Sequence, residues 1–418
     1  MKMIDLRYGR ERISIETPDS FAVIAAGPES EPLSDHRIGE LIDKPIGTAG
    51  LEEIVSPGET VLFVVPDATR ASGAGQIINL LVRRLIANGT MPYDIAAIFA
   101  TGIHRPVTES EKAEILTPFI AQRVKTLDHG HRDLMRIVNV GELSDGTPVE
   151  LNRALVEFDR VVTIGSVGFH YFAGFTGGRK IICPGLASNR TITATHRLAF
   201  DFDRKTRSEG VAPGNLEGNP VHEAFIEAAA KVKVDLSAST IVNGRGEVTG
   251  LFCGDLFSSH IAACENYAES HTVTIERQYD NVVVSCGGSP FDINLIQAHK
   301  SLEAASRACK PGGRIYLLAE CGDGLGRPDL LKWFEVSDSR ELADNLANGY
   351  QVNGQTAWSL LSIAERFDVR IVTSLPDEAV GKMRMRKISV DRLQSEIGDL
   401  SEACVIPAGA GILVRLRS

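Results

Sequence analysis

Short all-apolar runs alternate along this chain with stretches of helical spacing. Residues 61–65 (VLFVV) form a continuous apolar run, as expected of a strand buried on both faces. Residues 75–87 carry apolar positions at helical spacing, and 95–100 read as a second strand. Thr108 and Glu111 form a T-x-x-E capping box that opens the next helix. Residues 161–164 are a third strand. A second series begins after His271. It comprises a strand at 281–285, a helix at about 292–308 and a KPGG turn into a strand at 314–318. A helix at 355–366 and a strand at 369–373 follow, with a last strand at 411–415. This strand–loop–helix repetition predicts the α/β class, built as two α/β domains with largely parallel sheets.

A chain of 418 residues exceeds the roughly 250–300 residues at which one hydrophobic core stops growing. The polar stretch at 265–278 (ENYAESHTVTIERQ) is the candidate linker. It gives an N-terminal domain of 1–267 and a C-terminal domain of 275–404, with 405–418 assigned to close the first. Hydrophobic residues make up 43% and charged residues 23%, which excludes a disordered or fibrous chain. The net charge of −10, with no basic block, argues against nucleic acid or an anionic membrane as partner. No run approaches the ~18 apolar residues of a membrane span, and the N-terminus lacks the apolar stretch of a signal peptide. Seven scattered cysteines without a C-x-x-C pair fit free thiols in a reducing cytoplasm.

Chemistry-bearing residues gather just after the predicted strands. Asp67 and Arg70 follow the first, His104 the second, and the 165–180 segment with His170 and Lys180 the third. Ligands of parallel sheets bind beyond the carboxyl ends of the strands, so these residues are expected at one crevice. His104 and His170 are candidate acid–base groups, because imidazole exchanges protons near neutral pH. Gly177-Gly178-Arg179-Lys180 resembles a phosphate loop without being a Walker A motif; a plain glycine turn with a solvated lysine is the alternative. His196, in or near a helix start, suits a metal or a surface. Asp128-His129-Gly130-His131 has no further ligand at recognisable spacing and reads as a polar loop. Residues 321–326 (CGDGLG) fail the dinucleotide fingerprint at Arg327 and read as a strand-to-helix turn. Gln297 and Lys300, three apart on a helix, share a face that suits a carboxylate.

Together these segments resemble the lactate racemase family that uses a nickel-pincer nucleotide. The matching stretches are PDATR (66–70), TGIHRPVT (101–108), GFHYFAGFTGGRKIICPGL (168–186), His196, EGNPVHEA (217–224), SPFDINLIQAHKSLEAA (289–305) and KPGGRIYLLAEC (310–321). They cover most of the chain, in order.

The resemblance implies a two-domain α/β fold with the active site in the cleft between the domains. It implies a pyridinium mononucleotide whose two sulfur-bearing groups (thioamide and thiocarboxylate) hold nickel, bonded covalently to Lys180. His196 matches the nickel ligand, and a nitrogen donor beside carbon and two sulfurs suits square-planar nickel. His104 and His170 match the paired catalytic histidines. Asp67 and Arg70 match residues that line the cofactor and substrate pocket, with Gly177 and Gly178 as candidate cofactor contacts. Gln297 and Lys300 match groups that hold the substrate. The implied reaction inverts the α-carbon of a 2-hydroxy acid by moving hydride through a 2-keto acid. Proteins that make the cofactor and insert nickel are the implied partners.

Two positions bear on the substrate. Lactate-acting members often place a tyrosine directly before the glutamine matching Gln297, where this chain has Ile296. That change turns a hydroxyl-bearing wall aliphatic, which argues against lactate and favours an apolar or longer side chain. Trp358 matches a tryptophan near the family's pocket. Two other readings differ in class. A non-catalytic cofactor- or nucleotide-binding protein of the same fold would need Lys180 and His196 but not His104, His170, Arg70 and Lys300. A metallohydrolase would need a ligand spacing such as H-E-x-x-H, which this sequence lacks.

Overall fold

The computed structural model describes residues 1–28 and 30–417. The chain divides into two compact units, Glu29–Ala199 with Gly210–Tyr267, and Met1–Pro28 with Phe200–Glu209 and Ala268–Ser418.

The first unit is built on a six-stranded sheet. Its order is Val248–Gly254, Leu236–Val242, Arg160–Ser166, Val61–Pro66, Ile95–Ala100 and Lys125–Asp128. All pairs are parallel except the first, an antiparallel edge. Every residue of Val61–Pro66 is buried, which explains its unbroken apolar run. The helix Ala74–Ala87 buries Ile77, Ile78, Leu81, Val82 and Leu85 in the same core as Val61, Phe63 and Val65. The capping box forms as read. Thr108 Oγ1 accepts from Glu111 N at 3.3 Å, and Glu111 Oε2 accepts from Thr108 N at 2.8 Å.

The second unit holds a six-stranded parallel sheet. Its order is Arg386–Lys387, Asp368–Val372, Cys309–Leu318, Tyr279–Ser285, Ala403–Ile406 and Ala22–Val23. The KPGG segment lies inside the Cys309–Leu318 strand, where the register is irregular, rather than in a turn before it. The helix expected from 292 runs from Leu295 to Ala308, capped by Asn294.

The division differs from the one read in the sequence. Residues 1–28 join the C-terminal unit, because the hairpin Lys2–Tyr8/Glu11–Thr17 buries Leu6 and Ile15 against Val283, Tyr316 and Leu318. The final strand, Leu413–Leu416, pairs with Thr272–Ile275 and so belongs to this unit, not the first. The candidate linker is the end of the helix Leu256–His271 plus that strand. Its polarity is that of a half-solvated helix face; Tyr267 and Ile275 are buried. Residues 200–209 also join this unit, where Phe200 packs edge-on against Trp358 at 4.8 Å and Arg207 pairs with Glu303 at 2.6 Å. Among the described residues no helix is long and apolar enough to cross a membrane, and all seven cysteines are free and buried.

Candidate active site

The strand order of the first unit fixes where a ligand can sit. From Val61–Pro66 the chain passes to Ile95–Ala100 and Lys125–Asp128 on one side, then returns to Arg160–Ser166 on the other. The switch point lies beyond the ends of Val61–Pro66 and Arg160–Ser166, where open α/β sheets bind ligands. Asp67 and Arg70 leave the first of these strands and the 167–181 segment leaves the second. His104 leaves Ile95–Ala100. The strands that lead to the two histidines, Ile95–Ala100 and Arg160–Ser166, therefore flank Val61–Pro66 and are not adjacent, and Asp67 follows the strand between them.

Asp67 is 5% exposed. Its Oδ1 accepts from Thr69 N at 3.0 Å and Thr69 Oγ1 at 2.6 Å, and its Oδ2 lies 2.7 Å from His104 Nδ1. Burial pushes the Asp67 carboxyl up, but His104, Thr69 and Arg70 together hold it below the usual carboxylate value. A carboxylate here requires the His104 proton on Nδ1, which leaves a lone pair on Nε2 of a ring that is one-third exposed. Arg70 is lowered by burial, against the opposing pull of Asp67. The His104 turn needs glycine at 102. Gly102 has φ +54°, donates to Gly185 O at 2.9 Å, and leaves a Cβ only 3.3 Å from Pro184 O.

His170 lies in the two-residue strand Phe169–His170, paired with Gly174–Phe175, and is buried. Its Nδ1 accepts from Ala173 N at 3.3 Å and Phe172 N at 3.5 Å. Lys180 sits in the 3₁₀ turn Gly178–Ile181. The two glycines before it have steric reasons of their own. A Cβ on Gly177 (φ +73°) would stand 2.9 Å from Ser166 O, and one on Gly178 (φ +51°) 2.3 Å from the His260 ring.

Lys180 Nζ lies 5.1 Å from the centre of the Phe172 ring and 4.7 Å from that of Phe225. The His196 ring meets the same two rings, at 5.1 Å and 5.5 Å. Lysine and histidine thus share one aromatic enclosure. Burial, then Arg179 and Arg70, push the Lys180 amine well below the usual lysine value, toward the neutral, nucleophilic form. His196 is the penultimate residue of the helix Asn189–Arg197, at its end rather than its start. Its Nδ1 donates to Ile192 O at 2.8 Å, which turns the Nε2 lone pair outward from the helix backbone. Burial, then Lys180, lower its pKa to about 3, so the ring is neutral. A neutral imidazole whose second nitrogen is tied to a backbone carbonyl is the form in which histidine ligates a metal.

Sequence reasoning did not single out several residues of this neighbourhood. Phe172 and Phe225 wall the enclosure. Arg179 is 1% exposed, and His222 is buried with its Nδ1 unpartnered. Burial, then Arg179 and Lys180, lower His222 to about 4. Phe172 and His222 lie inside the stretches that carried the resemblance, but sequence gave no sign that they are buried. Among the described residues, no three His, Cys, Asp or Glu side chains converge to hold a metal. His129 is occupied at both nitrogens, by Ala187 O at 3.1 Å and Asn152 Nδ2 at 3.2 Å, in keeping with the polar-loop reading.

The remaining predicted residues lie in the other unit. Ile296, Gln297 and Lys300 are on the helix Leu295–Ala308, where Lys300 Nζ donates to Gln297 Oε1 at 2.5 Å. Trp358 is on Val352–Arg366, and Ile296 and Trp358 both pack against that unit's core.

Residues 8–208 match the model of the lactate racemase N-terminal domain, and 275–414 that of the C-terminal domain. The chain belongs to the lactate racemase family. It is 29% identical over 431 aligned residues to the lactate racemase of Thermoanaerobacterium thermosaccharolyticum, and 28% identical to that of Lactiplantibacillus plantarum. In each case 99% of this chain and 100% of the relative are covered. The solved lactate racemase apoprotein from T. thermosaccharolyticum superposes with a TM-score of 0.86 at 28% identity, covering 99% of this chain and 100% of that one. A Thermotoga maritima protein has the same fold, with a TM-score of 0.76 at 21% identity, over 94% of this chain and 100% of that one. The two-domain, largely parallel α/β architecture read from the sequence is that of this lactate racemase family.

Proposed function

We propose that the chain is an isomerase that racemises or epimerises a small 2-hydroxy acid, using a nickel-pincer nucleotide attached at Lys180. The observation that carries this reading is the shared enclosure of Lys180 and His196 beside the Asp67–His104 pair. The donor set fits the cofactor. A depressed lysine amine is suited to forming one covalent bond, and one neutral imidazole is suited to completing a metal site whose other donors come from the nucleotide. When bound, such a group supplies an acceptor for the α-hydrogen as hydride.

The protein's own residues then have distinct tasks. Lys180 tethers the nucleotide, and His196 Nε2 holds nickel. Arg70, suited to bidentate pairing, is the carboxylate anchor of the first unit, and Lys300, a point charge bonded to Gln297 on the same helix, is with Gln297 the substrate-holding group of the second. Proton removal from carbon next to a carboxylate is difficult, so the removable proton is that of the hydroxyl. His104 Nε2 takes it for one enantiomer, and His170 serves the other. Asp67 stabilises the imidazolium that forms on His104. Gly177 and Gly178 would be the backbone contacts of the nucleotide in the turn that carries Lys180. The two curated relatives are lactate racemases. Lactate is therefore one candidate substrate, and the aliphatic Ile296 with Trp358 favours an apolar side chain. Proteins that build the cofactor and insert nickel are needed as partners, and a reducing cytoplasm suits the seven free thiols.

The test is co-expression with the cofactor-making proteins of a known racemase. Intact mass, peptide mapping and nickel content are measured first, then each enantiomer of a series of 2-hydroxy acids is offered and racemisation followed. An added mass on Lys180, about one nickel per chain as a four-donor site requires, and loss of optical purity support the reading. A loaded chain inert to the whole series would make it a cofactor-binding protein. A bare chain, under conditions that load a known racemase, would remove the cofactor assignment.

A further inference from the structure

The two site imidazoles are held by different kinds of partner. Nδ1 of His104 faces a carboxylate oxygen at 2.7 Å, an acceptor, so it carries the proton and Nε2 the lone pair. Nδ1 of His170 faces two backbone N–H groups, of Ala173 at 3.3 Å and Phe172 at 3.5 Å. Donors need an acceptor, so this Nδ1 keeps its lone pair and the proton resides on Nε2.

The turn that aims those amides is itself clamped from two sides. Arg179 Nη2 donates to Ala173 O at 2.7 Å and its Nη1 to Phe175 O at 3.1 Å. Among the described residues this buried guanidinium meets carbonyls and His260, with no carboxylate. A buried charge without a counter-charge is costly, which makes a purely packing role for Arg179 a poor account of it. From the other side, fully buried Asn219 donates through Nδ2 to Phe172 O at 3.0 Å. Its Oδ1 caps the helix Pro220–Ala229 by accepting from Val221 N and His222 N.

We propose that Arg179 and Asn219 are positioning residues for His170. By clamping the 171–174 turn they present two amides to Nδ1 and hold His170 as the Nε2–H tautomer, opposite to the Nδ1–H tautomer in which Asp67 holds His104. The inference rests on the reading of these histidines as the acid–base pair, and it makes the pair unequal. In its neutral form Nε2 of His104 accepts a proton as it stands. Nε2 of His170 is a hydrogen-bond donor, and becomes a base only after its proton has moved to Nδ1, against the two amides.

Ring-nitrogen spectra of the apo chain grown with ¹⁵N-histidine, followed with rising pH until the ring shifts stop changing, read these tautomers directly. His104→Gln and His170→Gln assign the signals. The expected pattern is a protonated Nδ1 for His104 and a protonated Nε2 for His170. Asn219→Ser keeps a capping oxygen but loses the donor to Phe172 O, and Arg179→Met removes the other clamp. Each should turn the His170 signal into a mixture of tautomers while leaving His104 unchanged; Asp67→Asn should move the His104 proton to Nε2 and leave His170 unchanged. A proton on Nδ1 of His170 in the parent chain overturns the inference, and so does a His170 signal that neither variant moves. If Arg179→Met does not fold, Asn219→Ser decides alone. The expected tautomers in a chain that loads cofactor but racemises nothing would refute the functional reading and leave this inference standing. Racemisation by a chain whose histidines share one tautomer would do the reverse.

Discussion

Asp67 divides its carboxylate between two tasks: Oδ1 closes the turn after its strand by accepting from Thr69, while Oδ2 holds Nδ1 of His104 at 2.7 Å. Asp67→Asn keeps the shape and reverses the second task. With its carbonyl oxygen toward Thr69, the new amide donates to Nδ1 and places the His104 proton on Nε2, the wrong nitrogen for a base. By analogy with the same substitution in a serine-protease triad, kcat for the enantiomer that relies on His104 should fall by about 10³–10⁴-fold. Nickel content and the mass on Lys180 should be unchanged. Initial rates from each enantiomer of the loaded protein check this, and a loss below tenfold would mean that His104 is not the base.

Lys180 and His196 share an enclosure but have separable roles. Lys180→Met should return the mass of the chain to that of the bare polypeptide. His196→Asn should retain the adduct on Lys180 and lose most of the nickel, because one donor of four is removed. Intact mass and metal analysis on the same samples distinguish the two. An adduct surviving in Lys180→Met would mean attachment elsewhere.

Much of this arrangement was legible in the sequence, for physical reasons. Strand 61–66 is buried on both faces, so its apolar run announces it, and Asp67 follows at once. Hydrophobic period and capping residues fixed the helices to within a few positions; Thr108 and Glu111 are the clearest case. Local pattern does not reveal which distant segment covers a surface. The N-terminal hairpin, the 200–209 excursion and the last strand were assigned by order along the chain, whereas Leu6, Phe200 and Val414 are placed by packing. Phe172, Arg179 and His222 were missed for the same reason, since nothing in their spacing tells a buried side chain beside Lys180 from a solvated one.

Gly178 tests the close approach that shapes the Lys180 turn. Gly178→Ala puts a Cβ 2.3 Å from the His260 ring, on a backbone at φ +51°. Left-handed strain of about 1–2 kcal/mol and overpacking of about 1–3 kcal/mol act together, so unfolding of the apo chain should weaken by about 2–5 kcal/mol. Gly218→Ala is the control. Its φ is +64° with nothing within 4 Å of the new Cβ, and it should cost only the backbone share. Equal losses in denaturant titrations of the two variants would mean that His260 gives way and the contact does not shape the turn.

Buried neutral histidines predict how stability depends on pH. Burial lowers His129 and His222 to about 4 and His196 to about 3, all within the first unit. Unfolded, each titrates near about 6.5. Between those values the unfolded chain binds more protons than the folded one, so stability is full above about pH 6.5 and falls as the pH drops toward the folded value. Each histidine contributes about 1.4 kcal/mol per pH unit across that window. The apo chain should therefore lose stability steeply between about pH 6 and pH 5, and His222→Gln should flatten the slope by close to one proton. Denaturant midpoints at pH 7, 6 and 5 for the parent and the variant measure it. Nδ1 of His222 has no partner in the folded chain, so glutamine removes the titration without breaking a hydrogen bond at that atom. An unchanged slope would mean that His222 takes up its proton in the folded state, despite Arg179 and Lys180 beside it.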